Sequence, residues 1–184
     1  AAHGESWQQG DTLNVGIGQG FMLATPLQLA VMTARLARGA AVEPRLIRAI
    51  GGRAAPVRDA PPLGLRPSNL DLMRNGMVAV VNERGGTALR SRIHDPETGM
   101  AGKTGTSQVR RITAAERARG VIRNEDLPWN RRDHALFVGY APVLAPRFAF
   151  SVVVEQGGGG SAAAAPIAGD VMMRALYGAE PPLA

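Results

Sequence analysis

The stretch Ala101 to Gln108 reads AGKTGTSQ, and the fold turns on how it is read. As a phosphate loop, G-x-x-x-x-G-K-[ST] needs glycine at position 97, where Glu97 stands. It would also need a helix to begin at once, and Gly105-Thr-Ser-Gln-Val is a poor helix start. Read as a strand, the side chains alternate: Lys103, Gly105 and Ser107 share one face, Thr104 and Thr106 the other. Gly102 and Gly105 weaken a strand, and their usual meaning there is close approach by a ligand or another backbone. A lysine, hydroxyls and small neighbours on an accessible edge suit an anionic, peptide-like substrate adding alongside the strand. Standing alone, the motif is better explained as a lysine in a tight turn.

Outward from it, the expected strands are Met100 to Val109, Ala135 to Ala141 and Phe148 to Glu155, the last reading FAFSVVVE. The short PVLAP link, with Pro142 and Pro146, predicts an antiparallel hairpin between the last two. Arg110 to Asp133 is too long for a structureless connection, so a local helix around Ala114 to Arg119, or a functional role, is expected. Three amphipathic helices are predicted. The first has Thr25 and Gln28 as capping box, Pro26 at its first position, Leu27, Ala30, Val31 and Ala34 on one face, and Gly39 as stop. The second begins near Ser68 with Asp71 in its first turn, carries Leu70, Met73, Met77 and Val80 or Val81, and ends at Gly85-Gly86. The third runs from about Ala163 to Tyr177, with Pro166 in its opening turn, Ile167, Val171 and Ala175 on one row, Met172 and Leu176 on the next, and Gly178 closing it.

The plan is α+β: two helices, three antiparallel strands, then a helix. Its sheet looks incomplete, because nothing obvious covers the apolar strand Phe148 to Glu155. The tract GGGGSAAAA from Gly157 to Ala165 is readable as a linker. Between an apolar strand and a capped helix it is better read as a tight turn lining the cleft.

Composition narrows the function classes. The 184 residues are 45% apolar, enough for one domain core, and only 4% aromatic. A formal charge of +6 and a pI near 11.1 raise nucleic acid as a partner. The basic residues are scattered arginines, however, and the densest stretch, Arg110 to Arg132, is interrupted by Glu116, Glu125 and Asp126, so a solvated basic face is the better reading and no nucleic acid is expected. Lys103 is the only lysine among the 21 basic residues, which points to a compact ammonium being needed there. Without cysteine, disulfides and thiolate metal sites are excluded. His3, His94 and His134 have no ligand spacing, so neither metal nor cofactor is expected. The nucleophile elbow G-x-S-x-G of serine hydrolases is absent, and in VGIGQG the third glycine of a dinucleotide loop falls on Phe21. No run of about 18 apolar residues occurs.

K-T-G is one of three signatures of penicillin-recognising serine enzymes. The segments GDTLNVGIGQG (Gly10 to Gly20), ATPLQLA (Ala24 to Ala30), GMVAVVNERGGTA (Gly76 to Ala88), GKTGTSQ, DHALFVGYAP (Asp133 to Pro142) and VVVEQGGGGSAAAAPIA (Val152 to Ala168) together resemble the elongation-type class B penicillin-binding proteins. The resemblance covers most of the chain in the family's order. It implies a peptidoglycan D,D-transpeptidase working through an acyl-serine, penicillins acylating the same serine, at the periplasmic face of an inner membrane. Its implied partners are peptidoglycan stem peptides, β-lactam antibiotics and proteins of the elongation machinery. It also implies that Lys103 supplies charge beside the serine network and the substrate carboxylate, that Thr104 and Thr106 bond that carboxylate, and that the Thr106 backbone N–H is an oxyanion donor. Gly105 and Ser107 complete the expected substrate strand.

One departure bears on activity. The serines at 6, 68, 91, 107, 151 and 161 are followed three places on by Gln9, Asp71, His94, Arg110, Val154 and Ala164, so S-x-x-K is absent, as are S-x-N and S-x-D. In the family these lie upstream of GDTLNVGIGQG. Residues 1 to 184 are therefore expected to be the carboxy-terminal portion of one transpeptidase domain, holding three of the family's five sheet strands, inactive without the nucleophile-bearing portion and lacking the family's membrane anchor. The loop Arg110 to Asp133, with Trp129 among charges, is readable as a contact for substrate or an elongation protein, or as plain solvent loop. The competing functional reading is a non-catalytic module that binds a peptide or anionic polymer through the Lys103 strand.

Overall fold

The structure, a computed structural model, describes residues 4, 6–20, 22–95, 97, 99–110 and 112–178. Its helices are α1 (Gln9–Gly16), α2 (Pro26–Arg38), α3 (Pro67–Asn82), α4 (Ala114–Arg119) and α5 (Ala164–Tyr177); its strands are β1 (Ala49–Ile50), β2 (Arg53–Ala54), β3 (Ala101–Ser107), β4 (His134–Ala141) and β5 (Phe148–Val154). The main sheet is an antiparallel meander in the order β3-β4-β5. Lys103 pairs with Val138 and Gly105 with Leu136, while Phe137 also pairs with Val152. The α+β class and the predicted hairpin are both present.

Alternation along the strands builds two apolar layers. Ala135, Phe137 and Ala141 of β4 point to one face and pack with Ala164, Ala165, Ala168 and Met172 of α5, joined by Phe150 and Val152. The Phe137 and Phe150 rings stack with centroids 6.1 Å apart. On the other face Ala101 and Tyr140 meet Met77, Leu36, Ala37 and Ala149. Helix α3 serves both layers, giving Val81 to the first and Met77 to the second.

Helix α2 begins as its sequence dictates: the Thr25 hydroxyl accepts from the Gln28 N–H at 3.2 Å, and the Gln28 side chain accepts from the Thr25 N–H at 2.8 Å. Gly39, at φ 73°, ends it in the left-handed conformation. Arg74 of α3 then donates to the carbonyls of Leu36 and Ala37, both at 2.9 Å, satisfying the end of α2 from outside.

Several expectations need correction. Helix α3 begins at Pro67 and ends at Asn82, before the glycine pair, so Asp71 falls outside the first turn and lies 3.6 Å from Arg74. Met73 is 45% exposed, because the half-buried Arg74 takes the inward position beside Leu70 and Met77. In α5 the row Ile167, Val171, Ala175 faces outward. The buried face is the small one, Ala164, Ala165, Ala168 and Gly169 with Met172, since a close helix-to-sheet approach favours small side chains. Strand β3 stops at Ser107 and β5 at Val154, each short of its predicted end. Two elements had not been expected: α1, and the β1–β2 hairpin turning on Gly51 and Gly52, both at positive φ.

Candidate active site

The outer edge of β3 faces away from β4 and is where the chemistry-bearing residues gather. Three side chains reach it. Asn82 at the end of α3 donates to the Met100 carbonyl at 2.8 Å, Lys103 Nζ to the Thr104 carbonyl at 2.8 Å, and Gln19 Nε2 to the Thr106 carbonyl at 3.0 Å. In an antiparallel strand the N–H and C=O of one residue point the same way. With the Thr104 and Thr106 carbonyls turned outward to these donors, the Thr104 and Thr106 N–H groups are turned outward too. Lys103 and Gly105, one residue out of phase, direct theirs toward β4.

Lys103, Gly105 and Ser107 lie on the face that carries Ala101, and Thr104 and Thr106 on the α5 side. Helix α2 lies over β5 and β4, so the Lys103 ammonium stays exposed. Holding the Thr104 carbonyl occupies one of its three N–H donors and leaves two. The Thr104 hydroxyl is 2.8 Å from that of Thr87, and Thr106 and Ser107 are exposed. The five sequence-derived residues thus run consecutively along β3, divided between its two faces.

The glycines of this strand have separate jobs. A Cβ on Gly102 would lie 2.3 Å from Cζ of Phe137, so Gly102 makes room for a core ring rather than a ligand. At Gly105 the approach is by backbone: a Cβ on Gly160 would come 2.5 Å from the Gly105 carbonyl oxygen. The Gly157 to Gly160 stretch is accordingly a tight strand-to-helix turn. It starts with Gly157 N–H donating to Val154 and Gly158 N–H to the Asp133 carbonyl, and it ends pressed on the β3–β4 ladder.

Beyond β3, the connection to β4 is folded. Thr113 caps α4 by accepting from the Glu116 N–H. Arg110 grips Glu116 through two bonds, each 2.7 Å, and Glu116 also accepts from the Ile122 N–H. That Arg110 bond, helped by the Ile122 N–H and opposed by desolvation, holds the Glu116 carboxyl below its usual range, and the same bond raises Arg110. Asp133 closes the loop, its carboxylate accepting from Val109 N–H and its own N–H donating to the Asn124 side chain. The helix expected over Ala114 to Arg119 is present.

The two described histidines make local contacts. His134 Nδ1 accepts the Gln156 N–H at 2.9 Å, His94 Nδ1 lies 3.1 Å from Arg92, and His3 is outside the described residues. Among the described residues no three metal-ligating side chains cluster, and no helix is long and apolar enough to cross a membrane. Sequence reading missed Gln19, Asn82 and Thr87 as individuals. All three sit in segments that carried the resemblance, yet nothing in their spacing ties them to β3.

Comparison with known proteins bears on this edge. Residues 2–173 match the penicillin binding protein transpeptidase domain. The peptidoglycan D,D-transpeptidase MrdA of Acinetobacter baumannii is 38% identical over 157 residues, covering 82% of this chain and 22% of that protein. Penicillin-binding protein 2 of Pseudomonas aeruginosa, solved in complex with WCK 5153, superposes with a TM-score of 0.76 at 39% identity, over 98% of this chain and 35% of that one. Penicillin-binding protein 2 of Helicobacter pylori, solved with MreC, gives 0.73 at 31% identity, over 95% and 29%. The chain therefore spans about a fifth to a third of the proteins it resembles.

Proposed function

The chain belongs to the penicillin binding protein transpeptidase domain family, and on that premise we propose that it supplies the substrate-binding strand of a peptidoglycan D,D-transpeptidase. The observation that carries this reading is the outer edge of β3, where the Thr104 and Thr106 N–H groups and the Lys103 ammonium face one open side.

In the proposed reaction a serine outside these 184 residues attacks the penultimate D-Ala carbonyl of a stem peptide. The carbon–nitrogen bond breaks, D-Ala leaves with a proton, and an amine of a neighbouring strand then takes the acyl group and frees the serine. The Thr106 N–H donates to the oxyanion that forms at the attacked carbonyl, a contribution typically worth about 10²–10³ in rate. Lys103 holds positive charge beside the serine network, and the Thr104 and Thr106 hydroxyls donate hydrogen bonds to the substrate carboxylate. Gly105 lies between them with its backbone against Gly160, and Ser107 extends the strand.

Penicillins would acylate the same serine, and the assembled protein would work at the periplasmic face of the inner membrane, in contact with elongation proteins such as the MreC seen with the Helicobacter pylori relative. None of the six serines has lysine three places on, so the proposed nucleophile is assigned to residues outside these 184.

Labelling with fluorescent penicillin tests this. The chain alone should not label, and the chain joined to the residues encoded upstream of Ala1 should label at its serine. Stoichiometric labelling of the isolated chain would refute the missing nucleophile. Absence of labelling in both, with stem-peptide binding retained, would instead support a non-catalytic binding module.

A further inference from the structure

Among the described residues, Gln156 is the one residue other than glycine whose backbone sits at positive φ, 53°. In that left-handed region a side chain is crowded by its own backbone, and only short polar side chains bond locally enough to offset it. Glutamine is too long for that, and its buried Oε1 has no hydrogen-bond partner among the described residues. A group outside the residue must hold it there, and residues held in strained backbone regions cluster at functional sites.

The holder is His134, at the entry of β4. Its Nδ1 accepts the Gln156 N–H at 2.9 Å, and because a backbone N–H can only donate, Nδ1 carries no proton. Beside it in the chain, the Asp133 carbonyl accepts from the Gly158 N–H at 2.9 Å. The glycine turn is thus fastened at its start to two successive residues, once by backbone and once by a side chain. At its other end Gly160 lies on the β3–β4 ladder, where an added Cβ would come 2.5 Å from the Gly105 carbonyl oxygen. The Gly160 carbonyl in turn accepts from the Ala164 and Ala165 N–H groups as α5 begins. A turn pinned at both ends carries a shift at Gln156 through to the backbone of Gly105.

Resting on the transpeptidase reading, we propose that His134 is a positioning residue for acylation: its Nδ1 holds Gln156 in the left-handed conformation and so seats the Gly157 to Gly160 turn on the β3–β4 ladder. Without that acceptor, glutamine relaxes to negative φ, the turn shifts on the ladder, and the strand that carries Lys103 loses its backing.

Penicillin acylation rate constants, measured by mass spectrometry in the complete protein, separate this role from mere space-filling. His134→Asn places an oxygen acceptor where Nδ1 stands, whereas His134→Leu fills the space and offers none. His134→Leu should acylate about three- to ten-fold more slowly than wild type, the range of one ordinary hydrogen bond, while His134→Asn stays close to wild type. Adding Gln156→Gly to His134→Leu should recover most of the rate, because glycine holds the left-handed conformation unaided. If His134→Leu does not fold, His134→Val, which suits a strand better, takes its place in both comparisons. With wild type acylated normally, three results each overturn the role of His134 alone: no slowing in His134→Leu, equal slowing in His134→Asn, or no recovery on adding Gln156→Gly. Failure of wild type to react overturns the transpeptidase reading and this inference with it.

Discussion

Gly160 rests directly on the β3–β4 ladder at Gly105: a Cβ added to it would lie 2.2 Å from the Leu136 carbonyl oxygen and 2.9 Å from the Gly105 nitrogen. Backbone atoms on both sides leave nothing flexible to yield. Gly160→Ala should therefore destabilise the assembled domain by about 1–3 kcal/mol, as overpacking does. Calorimetry should show a Tm lower by several degrees together with slower acylation, and an unchanged Tm would contradict the contact.

Gly102 faces a side chain instead, the far end of the Phe137 ring, with the Val138 carbonyl oxygen 2.6 Å from the would-be Cβ. Gly102→Ala should cost stability, and Phe137→Leu in the same molecule should recover part of it. Coupling between touching residues runs about 0.5–3 kcal/mol. Denaturant unfolding of the two single variants and the double variant measures it, and strict additivity would mean the ring is not the obstacle.

Lys103 and Thr106 should separate side-chain from main-chain chemistry. In the complete protein, Lys103→Ala should slow penicillin acylation by about 10²-fold or more, and Lys103→Arg should not restore it, because a guanidinium is planar and bulkier than the ammonium. Thr106→Val keeps the outward N–H and should slow the reaction by less than about ten-fold, the cost of one lost hydrogen bond. Equal losses at both positions would move the weight to the Thr106 hydroxyl.

Glu116 makes the loop acid-sensitive. Its carboxyl is held below its ordinary value chiefly by the Arg110 bond, so the charged form is favoured in the folded loop. The stabilisation is complete above the unfolded value and is lost as pH falls through the depressed folded one. Amide chemical shifts from Thr113 to Ile122 should stay native-like through the usual glutamate range and move only at lower pH. Glu116→Gln should give the displaced shifts already at neutral pH, and coincident spectra of variant and wild type there would dismiss the pair as an anchor.

Local chemistry was the legible part of this molecule. The Thr25–Gln28 box, the strand alternation around Lys103, the β4–β5 hairpin and the Ala114 to Arg119 helix are all written within a few residues of where they act. What failed depended on distance. Periodicity put Ile167 and Val171 inward because they are large and apolar, yet the sheet accepts the row of small residues beside them. Met73 lost its inward place to Arg74, whose partners are carbonyls on another helix. The edge itself was read correctly from AGKTGTSQ as a strand, while the groups that shape it, Gln19, Asn82 and Thr87, come from three other segments.

The unequal links of the meander also set an order of assembly. Only residues 142–147 separate β4 from β5, whereas 108–133 separate β3 from β4. Closing the longer link costs about 1 kcal/mol more chain entropy if it is loose, and less once Arg110 and Glu116 have folded it. The β4–β5 pair can thus form early from neighbouring residues, and β3 docks onto it late. The strand that carries Lys103 is the last to join the sheet and, in hydrogen exchange, the first expected to leave it.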